Sequence, residues 1–378
     1  MYYITIPLKP RMVQISFDDI LNDVDLDLNP RDARNTLTRC VERINPNLVA
    51  RTNFRAMHNA LQNFNLKWQR LHDVEDKKTL YRSFKIPKRS GGLRQIDAPN
   101  EELMQALREL KGIFEGKFYA SYHSAAFAYV RGRNAVDAVK RHQANKSRWF
   151  LKLDLHGFFP STTPSFLGKM IKCQFPFCKY TEMYGEEELD KALSLCFLNG
   201  GLPQGTPISP LLTNMMMIPV DHYIAKWGRE HKPHFVYTRY ADDMTLSADI
   251  SFNWQEASDK IVEILKGFDA PFELNREKTH YGSSAGRNWT LGVMLNANND
   301  ITIGHEKKKV FKAMTYQFCD SYCASRPWSI EDTQHFMGLY SYYVMVEPEA
   351  IKAIVKKYNE KFRIDAIDAA KQIIKGKA

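Results

Sequence analysis

Apolar residues recur along this chain at two periods, and the switches between them outline its elements. From Trp149 to Leu155 the pattern alternates: Trp149, Leu151, Leu153 and Leu155 fall on one face, and Phe150, Lys152 and Asp154 on the other. A period of two predicts a β-strand, here one that delivers a carboxylate at its end. The runs Phe235-Val236-Tyr237 and Met244-Thr245-Leu246 flank Tyr240-Ala241-Asp242-Asp243, which predicts a β-hairpin with two adjacent carboxylates at its tip. Helical spacing runs from Asn100 to Phe118 and from Ala135 to Gln143, and a further helix is expected after Thr163-Pro164. The mostly apolar stretch from Leu211 to Ile218 predicts one long buried helix. Residues 1–80 read as mostly helical, with amphipathic spacing around Leu61, Phe64 and Trp68 and an acidic start at Asp18-Asp19 and Asp23 to Asp27. Strand, helix, hairpin, helix and strand in that order predict an α+β fold in two layers with a ferredoxin-like sheet. Beyond Asn296 the pattern becomes a helical tail, opened by Glu306-Lys307-Lys308-Lys309.

A chain of 378 residues has room for a sizeable core and two or three lobes. Its 53 Lys and Arg against 43 Asp and Glu give a formal charge of +10, which favours a polyanionic partner without demanding one. Aromatics at 12% offer stacking partners for bases, although most of them belong in a core. The six cysteines, Cys40, Cys173, Cys178, Cys196, Cys319 and Cys323, form no zinc pattern and read as free thiols of a reducing cytosol. Residues 1–7 lack a signal peptide's basic start and long apolar run, and no segment is apolar enough to span a bilayer. A cytoplasmic protein with no membrane partner is expected.

The chemistry is in the carboxylates. Asp154 and Asp242 are far apart in sequence, but neighbouring strands of one sheet would bring them together to hold a pair of hard divalent cations. Two such ions about 4 Å apart stabilise the attacking and leaving oxygens of a phosphoryl displacement. An Asp-Asp pair alone reads better as an ordinary polar turn. Between the carboxylates lies Gly201-Leu202-Pro203-Gln204-Gly205-Thr206-Pro207-Ile208-Ser209-Pro210, on its own a Gly- and Pro-rich turn before a helix.

In sequence order, Asp154 with Phe158 and Phe159, then Pro203-Gln204-Gly205, then Tyr240-Ala241-Asp242-Asp243 resemble the catalytic core of reverse transcriptases. Lys85-Ile86-Pro87-Lys88-Arg89-Ser90-Gly91-Gly92-Leu93-Arg94 is similar to that family's fingers hairpin. His123-Ser124-Ala125-Ala126-Phe127 with Arg131-Gly132-Arg133 resembles the next block. Leu274-Asn275-Arg276-Glu277-Lys278-Thr279 resembles a later motif, and Leu291-Gly292-Val293 falls where the family has its primer grip. The likeness covers roughly Lys85 to Asn296. It implies a right-hand polymerase: residues 1–80 a helical extension of the fingers, 81–300 interleaved fingers and ferredoxin-like palm, and 301–378 a helical thumb. The overall look is that of retron, abortive-infection and other defence-associated enzymes, with group II intron proteins more distant.

The resemblance implies that Asp154, Asp242 and Asp243 are catalytic. With the Leu155 carbonyl they would ligate two Mg2+ ions, or Mn2+ in their place. Lys88, Arg94, Phe159, Gln204, Gly205 and Lys278 would bind the incoming dNTP, with Phe159 as a gate against the ribose 2′-hydroxyl and Lys278 as a proton donor to pyrophosphate or a plain surface lysine. Leu291 and Gly292 would grip the primer, and Lys307, Lys308 and Lys309 would contact nucleic-acid backbone or simply form a charged surface. The implied partners are a template RNA, dNTPs and the cDNA product, with an effector protein or a second copy of the chain as further candidates.

Two retron elements depart from pattern. Ala138 stands where an Asn opens the Asn-Ala-x-x-His element ending at His142, and Thr290-Leu291-Gly292 replaces Val-Thr-Gly. The sequence therefore favours a defence-associated enzyme copying a dedicated noncoding RNA. A retron enzyme, a template-independent DNA polymerase of abortive-infection type and a silent RNA-binding scaffold are the alternatives.

Overall fold

The computed structural model describes residues 3–6, 13–16, 46–87, 91–284 and 289–376. Strands β1 (Tyr3–Ile6) and β2 (Val13–Ser16) form an antiparallel hairpin. Helices α1 (Pro46–Arg51), α2 (Phe54–Lys67) and α3 (Gln69–His72) follow, then the hairpin β3 (Tyr81–Pro87) and β4 (Leu93–Pro99). Next come α4 (Glu101–Gly116), α5 (Ala135–Ala144), β5 (Trp149–Asp154), α6 (Phe158–Ser161), α7 (Pro164–Lys172), α8 (Phe177–Tyr184) and α9 (Glu187–Ser194). The helices α10 (Ser209–Met216) and α11 (Ile218–Glu230) lead into the hairpin β6 (Val236–Tyr240) and β7 (Asp243–Ala248), followed by α12 (Trp254–Gly267) and β8 (His280–Ser283). Short strands β9 (Trp289–Thr290), β10 (Val293–Leu295) and β11 (Ile301–Thr302) precede α13 (His305–Cys323), α14 (Ile330–Val346), α15 (Pro348–Phe362) and α16 (Ala366–Ile374).

The four-stranded sheet has the order β6-β7-β5-β8. With α7 to α11 and α12 as its connections, this is the β-α-β-β-α-β order of a ferredoxin-like arrangement. Local sequence explains the boundaries. Asn53, Asn100, Thr163 and Asn253 cap their helices by accepting backbone N–H groups that have no intrahelical partner. Asn134 and Asp137 form a reciprocal capping box at the start of α5.

In the described part of residues 1–80 the expected helices are accompanied by the strand pair β1–β2, and the acidic stretch lies outside the described residues. One expectation is corrected. The single apolar helix after Pro210 is two helices, because Pro219 has no N–H to continue α10 and instead sits in the first turn of α11. The chain also clusters into two compact units. One comprises 1–133, 151–246 and 253–280, the other 134–150, 247–252 and 281–378.

In the second unit α5 and β10 share a core with the C-terminal helices. Val136, Val139, Phe150, Val293 and Leu295 belong to the cluster that contains Phe311, Phe318 and Phe336. Phe336 stacks on Phe311 and Phe318 at 5.7 and 5.0 Å between ring centroids. Each such ring contributes about 1.5–3 kcal/mol by leaving water. Burial of Phe150 also means that β5 is covered on the face that alternation had left polar. The first unit has its own aromatic knot: Phe114, Phe118 and Phe177, all buried, with Phe118 stacked on Phe177 at 4.7 Å.

Among the described residues, no helix is long and apolar enough to cross a membrane. Cys178, Cys196, Cys319 and Cys323 are free thiols.

Candidate active site

Three chain segments in the first unit end at one place. β5 carries Asp154 as its last residue, and the next N–H, from Leu155, donates to the carbonyl of Asp242 at 3.1 Å. On the other side, Asn275 N–H donates to the Asp154 carbonyl and His156 N–H to the Glu273 carbonyl, both at 2.8 Å. These bonds bridge Leu155 and Leu274 in antiparallel fashion. Asp242 sits in the tight turn between β6 and β7, where Ala241 adopts φ +58°. That left-handed backbone is disfavoured for a residue with a Cβ, and surrounding contacts have to maintain it.

Asp154 and Asp242 line one cavity of about 890 Å3 together with Leu155, Arg94, Phe159, Gln204 and Lys278. Asp243 starts β7 and does not line it. The carboxylates crowd one another. Burial, followed by the charge of Asp154, raises the Asp242 carboxyl above its ordinary value. Asp243 keeps contact with solvent, yet the protein mass around it and the charges of Asp242 and Asp154 push it up to about 6. Lys152, alternating with Asp154 on β5, is lowered to about 8 by burial, an effect that the charge of Asp243 opposes. Lys278 donates to Asp154 Oδ1 at 2.7 Å, and this bond raises the ammonium's pKa.

The loop expected to face a base pair is tied to both neighbours of the cavity. Leu202 N–H donates to the Phe159 carbonyl at 3.0 Å, and the Gln204 carbonyl accepts from Asp97 N–H on β4 at 2.8 Å. Gly201 is required here by space: a Cβ at this position would collide with the Pro160 carbonyl. Gly205 lies behind the lining at φ +126°, with its absent Cβ pointing at the Asp97 carbonyl.

Among the described residues no group of three or more His, Cys, Asp or Glu is arranged to hold a metal ion. The donor set nevertheless fits divalent cations that share their shell with a ligand. Asp154 and Asp242 offer hard oxygens, their mutual repulsion is relieved by a dication, and the cavity leaves space for phosphate oxygens and water.

The family profile described as reverse transcriptase (RNA-dependent DNA polymerase) matches residues 86–318, more than half of the chain. The chain belongs to the reverse transcriptase family. It is accordingly an RNA-directed DNA polymerase, as the motifs had implied. Retron Ec83 reverse transcriptase of Escherichia coli is 32% identical over 75% of this chain and 88% of that protein. Retron Mx65 reverse transcriptase of Myxococcus xanthus is 27% identical, covering 77% of this chain and 67% of the relative. Retron Ec73 reverse transcriptase, also of E. coli, is 25% identical with coverage of 74% and 87%.

In the second unit of this reverse transcriptase, Leu291 and Gly292 form the two-residue turn between β9 and β10, both at positive φ, +53° and +82°. Such a pair of left-handed residues makes the hairpin turn whose twist suits paired strands. Lys307 donates to the Gly292 carbonyl at 2.6 Å, and Lys308 pairs with Glu347 at 2.7 Å. Of the three lysines assigned to nucleic-acid backbone, these two are engaged inside the unit, and Lys309 is the exposed one. Lys88 lies outside the described residues.

Sequence reasoning missed Asp97 and His156, which also line the cavity. Asp97 accepts from Ser83 Oγ at 2.6 Å and Gln95 Nε2 at 3.0 Å, a cross-strand arrangement that hairpin spacing around Gly91-Gly92 would have revealed. Asn275 lines it too; it was present in the quoted motif, but its contribution is a backbone N–H that side-chain reading does not register.

Proposed function

We propose that this reverse transcriptase copies a dedicated, structured noncoding RNA into DNA, with Asp154 and Asp242 at the reacting phosphate. The observation that carries the reading is the meeting of these two carboxylates at adjacent strand ends, on one wall of a cavity bounded by the β3–β4 hairpin and the Gln204 loop. Two Mg2+ ions, or Mn2+, held by Asp154, Asp242 and the Leu155 carbonyl with Asp243 nearby, would lower the pKa of the primer 3′-hydroxyl and neutralise charge on the triphosphate.

The remaining roles belong to the chain itself. Arg94, on the hairpin that edges the cavity, clamps phosphate oxygens with its planar guanidinium, and Lys88 is assigned the same task. Phe159 excludes a 2′-hydroxyl and so selects dNTPs. The Gln204-Gly205 turn supports the nascent base pair. Lys278 first neutralises Asp154; on substrate binding it is released towards pyrophosphate, where it supplies a proton. Leu291 and Gly292 hold the primer end, and Lys309 is the favoured contact for duplex backbone. In this reading the first unit supplies fingers and palm and the second the thumb.

The retron relatives favour a retron-type template over the defence-associated enzymes that the two departures had favoured. Those departures are mild in context. Ala138 is fully buried in α5, while His142 is retained and bonded to Ser247 Oγ at 2.6 Å. Gly292, the residue retained from the second element, is the one with the larger positive φ. A role in anti-phage defence, in the cytoplasm and through an effector partner or self-assembly, is part of the proposal.

Sequencing the RNA and DNA that co-purify with the protein tests the template. One discrete RNA accompanied by its complementary DNA is expected, with the DNA missing when Asp242 and Asp243 are both changed to Ala. Low-complexity DNA without a matching RNA would instead establish template-independent synthesis.

A further inference from the structure

Behind the Asp242 turn lies a charge pair that the chemistry does not use directly. Arg239, on β6, and Asp221, on α11, have side chains with no exposure at all. They are joined in bidentate fashion: Arg239 Nε donates to Asp221 Oδ1 at 2.8 Å and Nη2 to Oδ2 at 2.7 Å. Tyr237 Oη donates to the same Oδ1 at 2.8 Å. A planar guanidinium held at two points has one orientation, and its remaining nitrogen is therefore aimed. That nitrogen, Nη1, donates to the carbonyl of Ala241 at 3.1 Å.

Ala241 is the residue in left-handed backbone immediately before Asp242. Its carbonyl belongs to the peptide unit that leads into Asp242, and the carbonyl of Asp242 accepts from Leu155 N–H. The backbone on both sides of the Asp242 Cα is thus pinned, by Arg239 on one side and by the residue following Asp154 on the other. The backbone of Arg239 is fixed as well, through Arg239 N–H to the Ala125 carbonyl at 2.7 Å and Phe127 N–H to the Arg239 carbonyl at 2.9 Å.

We propose that Arg239, oriented by Asp221 and Tyr237, is a positioning residue for nucleotidyl transfer: it holds the Ala241 peptide in its strained form and so sets the distance of the Asp242 carboxylate from Asp154. This rests on the reading of Asp242 as a catalytic carboxylate. Without the Nη1 bond the turn relaxes, and a displacement of Asp242 by about 1 Å is enough to cost ~100-fold in rate. The other walls of the dNTP site, β4, Phe159 and Gln204, keep their own contacts through that change, so the loss falls mainly on kcat and far less on KM.

Removing Arg239 alone would leave Asp221 charged and unpaired in the interior and could unfold the protein, so the test replaces the whole network with apolar groups of similar size. The triple variant Asp221→Leu, Tyr237→Phe, Arg239→Met leaves no buried charge unpaired. RNA-templated primer extension, with melting followed in parallel, is expected to give a kcat lower by about 100-fold and a dNTP KM within about twofold of the parent, in a protein that melts cooperatively. A folded triple variant with parental kcat overturns the proposal, and so does an equal fall in kcat and rise in KM.

Should the triple variant fail to fold, Arg239→Lys decides. Its single ammonium can pair with Asp221 but cannot also reach Ala241, so reduced kcat at unchanged KM is expected and parental kcat overturns the proposal. Asp242→Asn, assayed alongside, separates the two readings: if it stays active, the catalytic assignment fails, and if it is inactive while the network variants keep full kcat, only the positioning role fails.

Discussion

Two clusters of ionisable groups in the first unit are linked through the bond from Arg239 to the Ala241 carbonyl, and they are built on opposite principles. Asp221, Arg239 and Tyr237 are fully buried, and every charge there meets its complement at hydrogen-bond distance. Asp154, Asp242 and Asp243 crowd like charge on like charge, with the Lys278 ammonium and Lys152 as counterweights. A fold selected only for stability would not retain the second arrangement. A compensated buried pair keeps structure in place, whereas a carboxylate cluster only partly balanced, at the edge of a cavity, marks where a ligand of opposite charge is expected.

The sharpest way to break this contrast is to cut the compensated cluster in half. Arg239→Met strands the Asp221 carboxylate and is expected to lower stability by about 3–5 kcal/mol, read from the denaturant midpoint; a loss below about 1 kcal/mol would mean that the pair is not compensated as described. A buried group held neutral supplies a reference of intermediate size. His142 is lowered from 6.5 to about 3, first by burial and then by the charge of Arg141. A depressed folded pKa gives stability that is complete above the unfolded value of 6.5 and erodes as pH falls towards 3. At pH 5 the loss is about 2 kcal/mol, and it should vanish from the stability-versus-pH curve of His142→Asn.

The crowded cluster should respond in the other direction. Asp243→Asn removes one repelling charge and is expected to raise stability by about 1 kcal/mol, seen as a melting temperature higher by roughly 2 °C; a fall would show that Lys152 already balances Asp243. The smallest effect belongs to a pair near the surface. Lys308→Ala frees Glu347, whose pKa its neighbours hold below the ordinary value despite partial burial. The expected cost is up to about 1 kcal/mol at neutral pH, and it disappears under acid as Glu347 protonates.

What the sequence disclosed follows the same division. Asp154 and Asp242 were legible because alternation fixes where a strand ends and paired runs fix where a hairpin turns. The ferredoxin-like order was legible because each connection is helical at the expected place. The Asp221–Arg239 pair was not, since a buried ion pair between a helix and a strand 18 residues further on leaves no periodic trace. The contacts of the α13 lysines were hidden for a similar reason: a run of three gives no sign that Lys307 and Lys308 reach back to Gly292 and Glu347. The unit boundary near 281 was hidden because Phe150 and Val293 join a core whose other members lie mostly after residue 300.

The central claim is that the crowded carboxylates are the polymerisation centre. The most direct test is primer extension on a defined RNA template with dNTPs and Mg2+, comparing the parent with Asp242→Asn and Asp154→Asn at equal folded concentration. Loss of at least ~100-fold in rate in both variants, with primer–template binding retained, is the predicted result. Extension at parental rates by either variant would contradict the account.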